Sequence, residues 1–172
     1  LPQQEWENLL GDMRRLADAA GHYRFALPAS IGGSDGTNLQ MAIIREHLAT
    51  RGLGLHNDLQ NESSIVGNHP FIKMMISKGT DAQKAEFIEA SLTGKRRVAF
   101  GLTEPNHGSD ATHLETTAVR DGDEWVINGD KRFNTGMHHA THDMVYARTS
   151  GEAGNADGIT CFLVPTDSPG VE

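Results

Sequence analysis

Residues with usable chemistry gather in three places along the chain. The first is Thr103-Glu104-Pro105-Asn106-His107-Gly108-Ser109-Asp110. Successive backbone amides beside Gly108, with two hydroxyls, can form a concave donor surface for an anion or the oxygens of a heterocycle. The same residues also describe a long connection between strands, with Gly108 supplying a turn and Asp110 capping it. The second place is His138-His139-Ala140-Thr141-His142-Asp143. His138, His142 and Asp143 are metal-donor types, and a solvated imidazole-rich loop is the plainer alternative. The third is Cys161, the single cysteine. It lies in the apolar run Gly158-Ile159-Thr160-Cys161-Phe162-Leu163-Val164, the setting of a small buried thiol rather than a nucleophile.

The overall balance narrows the choices. The formal charge is -8, from 23 acidic and 15 basic side chains, so the surface repels phosphate backbones and nucleic acid is not an expected partner. The basic cluster Lys95-Arg96-Arg97 reads as a solvated junction. One cysteine allows no intrachain disulfide, which points to a reducing cytoplasm. No apolar stretch approaches the roughly 18 residues of a membrane span, and no signal-like start is present. The chain begins on Leu1, which suggests that the natural N-terminus lies further upstream.

The elements that must position these groups change type part-way along. Trp6, Leu9, Leu10, Met13, Leu16, Ala17 and Ala20 recur at three- and four-residue steps and predict a helix ended by Gly21. Leu27-Pro28-Ala29-Ser30-Ile31-Gly32-Gly33-Ser34-Asp35-Gly36 is a loop by composition. It lacks the Gly-Lys-Ser/Thr ending of a phosphate-binding P-loop, so it reads as a connector. Further helices are expected from near Asn38 to Thr50, within Leu55 to Val66, and from Asn68 to Lys78 with Pro70 in its first turn. Thr80-Asp81-Ala82-Gln83 has the form of a capping box opening a helix that Gly94 closes. From Lys95 onward the pattern is of short strands: Val98 to Leu102, Thr116 to Val119, Glu124 to Ile127, Lys131 to Thr135, Met144 to Arg148 and Ile159 to Val164. Asp121-Gly122 and Asn128-Gly129 are hairpin signals. The expected architecture is α+β: an all-α helical domain over residues 1–96, then an antiparallel β-barrel or sandwich-like domain over 97–172. A sheet with uncovered edges that stops in turn residues suggests a truncated protein.

Gly101-Leu102-Thr103-Glu104-Pro105, two intervening residues, then Gly108-Ser109-Asp110 resembles the flavin-binding signature of the acyl-CoA dehydrogenase family. Other segments agree in order: Leu27-Pro28 with Gly32-Gly33, Gly79-Thr80 through Gly94, and Trp125-Val126-Ile127-Asn128-Gly129-Asp130-Lys131. The resemblance implies the N-terminal helical and middle β domains of that family, without its C-terminal bundle. It implies FAD as cofactor, with Phe100 to Ser109 lying along the flavin. Leu102 and Thr103 would meet the pyrimidine end of the ring, and Gly108 and Ser109 the phosphates, Ser109 also touching the acyl-CoA. Phe133, Asn134 and Thr135 would pack against the ring, with Thr135 near its redox-active nitrogen.

The activity implied is α,β-dehydrogenation of an acyl-CoA thioester, with electron-transfer flavoprotein as electron acceptor and a homodimer or homotetramer at full length. The family's usual base is a Glu of the C-terminal bundle. Glu104 would be structural, and no catalytic residue or metal ligand is assigned within these residues. Alone, this segment would be inactive and bind flavin poorly. His107 and His113 stand where the family usually has small residues, Phe133 where many members have Trp, and Met137-His138-His139 where a small polar stretch is common. Two other readings remain. His139 and Asp143 match the HxxxD spacing of CoA-dependent acyltransferases, and a non-catalytic acyl-CoA-binding relative would keep the same fold. An acyl-CoA oxidase or flavin monooxygenase would share the flavin site.

Overall fold

The computed structural model describes residues 2–52 and 65–172. The chain divides into two compact units, the first ending at Ile88 and the second running Glu89–Glu172.

The first unit is helical. Helix α1 (Gln3–Ala19) buries Leu10 and Ala17, seven residues apart and therefore on one face. It ends where Gly21 N–H donates to Asp18 O at 2.9 Å and His22 N–H to Ala17 O at 2.8 Å, the paired bonds that satisfy a helix's last carbonyls. The connector that follows folds back on itself, with Gly33 N–H on Pro28 O and Asp35 N–H on Leu27 O. Helix α2 (Asn38–Thr50) opens on a capping box, Thr37 accepting from the Gln40 amide while Gln40 accepts from the Thr37 amide. Ala26, Met41 and Val66 form a small core, with Phe25, Ile44 and Leu48 packed against it.

Helix α3 (Pro70–Lys78) has proline in its first turn, where a missing N–H costs nothing. His69 before it is buried and meets the Tyr23 carbonyl at 2.8 Å. Helix α4 (Asp81–Leu92) starts at the capping box expected from sequence: Thr80 N–H donates to Gln83 Oε1 at 2.9 Å, and Gln83 N–H to Thr80 Oγ1 at 3.2 Å. The helix expected within 55–66 falls almost wholly outside the described residues. Among the described residues, no helix is long and apolar enough to cross a membrane.

The second unit is a sheet of five strands: β1 (Val98–Gly101), β2 (Thr117–Asp121), β3 (Glu124–Asn128), β4 (His142–Arg148) and β5 (Ile159–Pro165). The helices-then-strands order holds, but the sheet is mixed rather than wholly antiparallel. β2 and β3 form a hairpin turning at Gly122 and Asp123, and β4 pairs antiparallel with β5. β1, however, runs parallel to β4, Val98 opposite His142, and β2 meets β4 in parallel at Thr117 and Arg148. Parallel pairs need crossovers, and local turn signals do not encode them.

Two further expectations are corrected. Lys131 to Thr135 is not a strand: the backbone there is irregular, and Phe133 lies in the left-handed region at φ 61°. Asn128-Gly129 is not a hairpin either. β3 ends at Asn128, and Gly129 lies so close over Thr116 that a Cβ would sit 2.1 Å from its Oγ1.

Candidate functional site

The connection from β1 to β2, residues 102–116, is held by a buried carboxylate. The Glu104 side chain accepts from the amides of Glu115 at 2.5 Å and Thr116 at 2.9 Å, and from Lys131 Nζ at 2.8 Å. Both side chains of the ion pair are buried, at 7% and 2% exposure for Lys131 and Glu104. Burial pushes the carboxyl up, but the Lys131 ammonium and the contacts from Thr116 and Glu115 outweigh it and hold the pKa at about 2. Glu104 is thus a permanent anion that closes the loop. Its amide and carbonyl also pair with those of His107, at 3.0 and 3.3 Å, drawing residues 104–107 into a tight turn.

The same lysine brings a second segment alongside. Lys131 Nζ reaches the Leu102 carbonyl at 3.3 Å, and Arg132 N–H donates to the Thr103 carbonyl at 2.8 Å. Residues 131–135 therefore lie beside the start of the loop. Asn134 Nδ2 adds a bond to Asp143 Oδ2 on β4 at 2.6 Å. Gly101 lies against both groups: a Cβ there would be 2.6 Å from Asp143 Oδ2 and 3.1 Å from Asn134 Nδ2.

Of the residues singled out from sequence, these bonds bring the backbone of Leu102 and Thr103 alongside the segment that carries Phe133, Asn134 and Thr135. Phe100 is 47% exposed and packs against Tyr146 with ring centroids 5.4 Å apart, while Phe133 is 86% exposed. Gly108 and Ser109 are exposed on the return arm of the loop, and no hydrogen bond among the described residues ties them to 131–135. The hydroxyls of Thr103, Ser109 and Thr135 are spent on no hydrogen bond within the described residues; Ser109 and Thr135 are exposed and Thr103 is half-buried.

Beyond the turn, His107 Nε2 lies 3.2 Å from Glu115 Oε1, and its ring stacks on His113 at 6.0 Å. His113 Nδ1 is 2.9 Å from Asp110 Oδ2. Asp110 caps the short helical turn Ala111–His113 through the Thr112 amide and hydroxyl, contacts that lower its pKa. The two imidazoles thus stiffen the loop against each other instead of projecting from it. Arg148 supports the same region from β4, donating to the Thr112 carbonyl at 2.6 Å.

The histidine cluster does not form a site of its own. His138 and His139 are exposed, with rings 4.1 Å apart, whereas Asp143 is buried on Asn134. Among the described residues, no group of three or more donor side chains could hold a metal. Cys161 stands opposite Tyr146 in the β4–β5 register; burial pushes its thiol up and the Tyr146 phenol up to about 12, consistent with a packed, unreactive sulfur. Sequence reasoning grouped Asp143 with the histidines rather than with Asn134, and it missed Lys131 and Arg148 as partners. Nothing local marks them, since each acts on a group distant along the chain.

The loop and the sheet that carries it lie within a recognised domain. Residues 99–172 match the model of the acyl-CoA dehydrogenase middle domain. Residues 99–172 belong to the acyl-CoA dehydrogenase middle-domain family. It is 44% identical over 92 residues to acyl-CoA dehydrogenase FadE29 of Mycobacterium tuberculosis, a match covering 54% of this chain and 24% of that protein. It is 34% identical over 151 residues to the caffeyl-CoA reductase-Etf complex subunit CarC of Acetobacterium woodii, covering 88% and 38%. The fold is similar to a glutaryl-CoA dehydrogenase from Mycobacterium smegmatis solved in complex with FADH2, with a TM-score of 0.67, 30% identity, and coverage of 93% of this chain and 38% of that one. The chain therefore spans well under half the length of these acyl-CoA dehydrogenase relatives.

Proposed function

We propose that the full-length protein is an FAD-dependent acyl-CoA dehydrogenase and that residues 97–172 supply the β-sheet side of its flavin site, following a helical domain over 1–96. The observation that carries this reading is Phe133. A large aromatic side chain is 86% exposed while its backbone sits at φ 61°. Left-handed backbone is costly for a non-glycine residue, and an exposed aromatic gains little in return. A planar ligand stacked on that ring would supply the missing contact. The same sheet unit carries Phe100, a second exposed aromatic, and the unspent hydroxyls of Thr103 and Thr135. These residues fit an isoalloxazine: apolar faces for its plane, donors for its polar edge.

When bound, the flavin supplies the acceptor for the hydride that leaves the β-carbon. The chain's own residues do the rest. Leu102 and Thr103 orient the pyrimidine edge, Gly108 and Ser109 meet the phosphates with Ser109 also touching the acyl-CoA, and Asn134 and Thr135 align the ring from the other side. Glu104 does not serve as the base that removes the α-proton. A carboxylate held at about 2 by Lys131 is too weak a base, and its oxygens are already occupied. We assign the base to a residue outside 1–172, electron-transfer flavoprotein as the electron acceptor, and a homodimer or homotetramer as the full-length assembly.

The test is spectroscopic. The full-length product, purified and reconstituted with FAD, should show flavin absorbance that bleaches on anaerobic addition of an acyl-CoA from a series of chain lengths. A protein that stays colourless after reconstitution refutes the proposal.

A further inference from the structure

A buried polar pair ties residues 133–135 to the sheet in a way that flavin binding alone does not explain. Asp143, on β4, is 4% exposed and accepts from Asn134 Nδ2 at 2.6 Å. The amide oxygen of Asn134, Oδ1, and the second carboxyl oxygen of Asp143, Oδ1, are both buried without a hydrogen-bond partner. Buried acceptors left unpaired are costly, and two on one contacting pair is an unusual concentration. A single proton changes the count. A neutral carboxyl donates through one oxygen and accepts through the other, while an amide offers both a donor and an acceptor. Acid and amide can then close a ring of two hydrogen bonds in which the same proton satisfies both orphaned oxygens.

We propose that Asp143 is a positioning residue that carries a proton in the folded protein, and that its acid–amide pair with Asn134 holds residues 133–135 in the conformation that receives the flavin. The last clause rests on the proposed flavin site; the protonation does not.

The surroundings agree. Asp143 is in register with Ala99 on β1 and Val164 on β5, neither of which brings a charge. From β1, the bare Cα of Gly101 lets the two polar groups meet. Lys131, on the adjoining segment, faces the same cavity of about 680 Å³, but its ammonium is bonded to Glu104 and the Leu102 carbonyl. Asp130 and Glu172 also line that cavity, and both favour a neutral neighbour when ionised. On β5, burial pushes the Cys161 thiol up, so that side chain brings no charge to Asp143 at neutral pH. On β4 itself, His142 precedes Asp143 with its Nδ1 3.1 Å from Thr141 Oγ1. Burial moves the Asp143 carboxyl above its ordinary value of 3.8, against smaller opposing effects of Asn134, Lys131 and the Met144 backbone amide. Such a group contributes stability that is fully present below 3.8 and is lost as pH rises through the folded value.

The test uses the full-length protein with and without FAD. Asp143→Asn places an amide opposite Asn134, which closes the same two-bond ring at every pH. The folding constant of the wild type should fall, relative to D143N, by up to about tenfold per pH unit above the ordinary carboxyl value, until the folded value is passed. Infrared spectra of wild type carrying isotope-labelled aspartate should show a neutral-carboxyl band where exposed carboxylates are ionised, and D143N should lack it. Asp143→Leu, which leaves Asn134 unpaired, should weaken FAD binding by about tenfold and shift the flavin absorption envelope, with D143N staying within about twofold of wild type. Parallel pH profiles or an absent band overturn the protonation, and the labelled wild type decides this alone if the variants do not fold. Unchanged FAD affinity in D143L overturns the positioning role. If no flavin binds at all, the positioning claim falls with the flavin reading, while the band in flavin-free protein still reports the protonation.

Discussion

Replacing Lys131 by Met removes the ammonium 2.8 Å from the Glu104 carboxylate and leaves that charge buried at 2% side-chain exposure. The cost can be worked from two directions. The carboxyl is lowered from 4.5 to about 2; at about 1.4 kcal/mol per unit, the interactions favouring its charged form are worth about 3 kcal/mol. Breaking a buried pair by removing one partner typically costs about 3–5 kcal/mol. The first figure pools Lys131 with Thr116 and Glu115, net of burial, so the buried-pair cost sets the expectation: K131M should lose about 3 kcal/mol at pH 7, measured by urea unfolding of the full-length protein. The pH dependence supplies a sharper check. Because the folded-state value is depressed, the contribution is complete above 4.5 and disappears as pH falls through that range toward 2. The gap between wild type and Glu104→Gln should therefore shrink steadily below pH 4.5. A loss in K131M under about 1 kcal/mol, or a gap that does not change with pH, would refute the view of Glu104 as an anion fixed in the loop.

Phe133→Gly should move two properties in opposite directions. Relief of the left-handed backbone should stabilise the flavin-free fold by about 1 kcal/mol, while loss of the ring should raise the FAD dissociation constant up to about tenfold; both quantities weakened together would contradict the assignment. Gly101→Ala drives a methyl into the Asn134–Asp143 contact and should cost about 1–3 kcal/mol in thermal or urea unfolding. Gly129→Ala should cost a similar amount, because its Cβ would lie 2.1 Å from Thr116 Oγ1. Combining it with Thr116→Ala should recover part of the loss, and strict additivity of the two changes would argue against the clash.

Helix ends were readable because their determinants are local. Thr80 and Gln83 cap each other across three residues, Pro70 occupies a first turn, and the α1 stop at Gly21 needs neighbouring amides only. The Asp121-Gly122 hairpin was readable for the same reason. Residues 131–135 were misread as a strand because their composition suits one, whereas their conformation is set by remote partners: Thr103, Glu104 and Asp143. The loop at 103–110 is ambiguous on physical grounds, because a donor surface and a plain strand connection use the same residue types. His107 and His113 stood out by type, but only coordinates reveal them stacked on each other and tied to Glu115 and Asp110.

The parallel pairing of β1 with β4 sets a schedule for the nascent chain. Gly101 leaves the ribosome well before His142, and at about 5–20 residues per second the delay is a few seconds. The β2–β3 hairpin can close during that interval from its own residues. β1 cannot, since its recorded partner is β4, and it waits as an unpaired apolar edge that invites pairing between chains. Translation speed across 102–148, and chaperone occupancy over the same window, should thus govern the yield of soluble protein more strongly than equivalent changes within the helical unit.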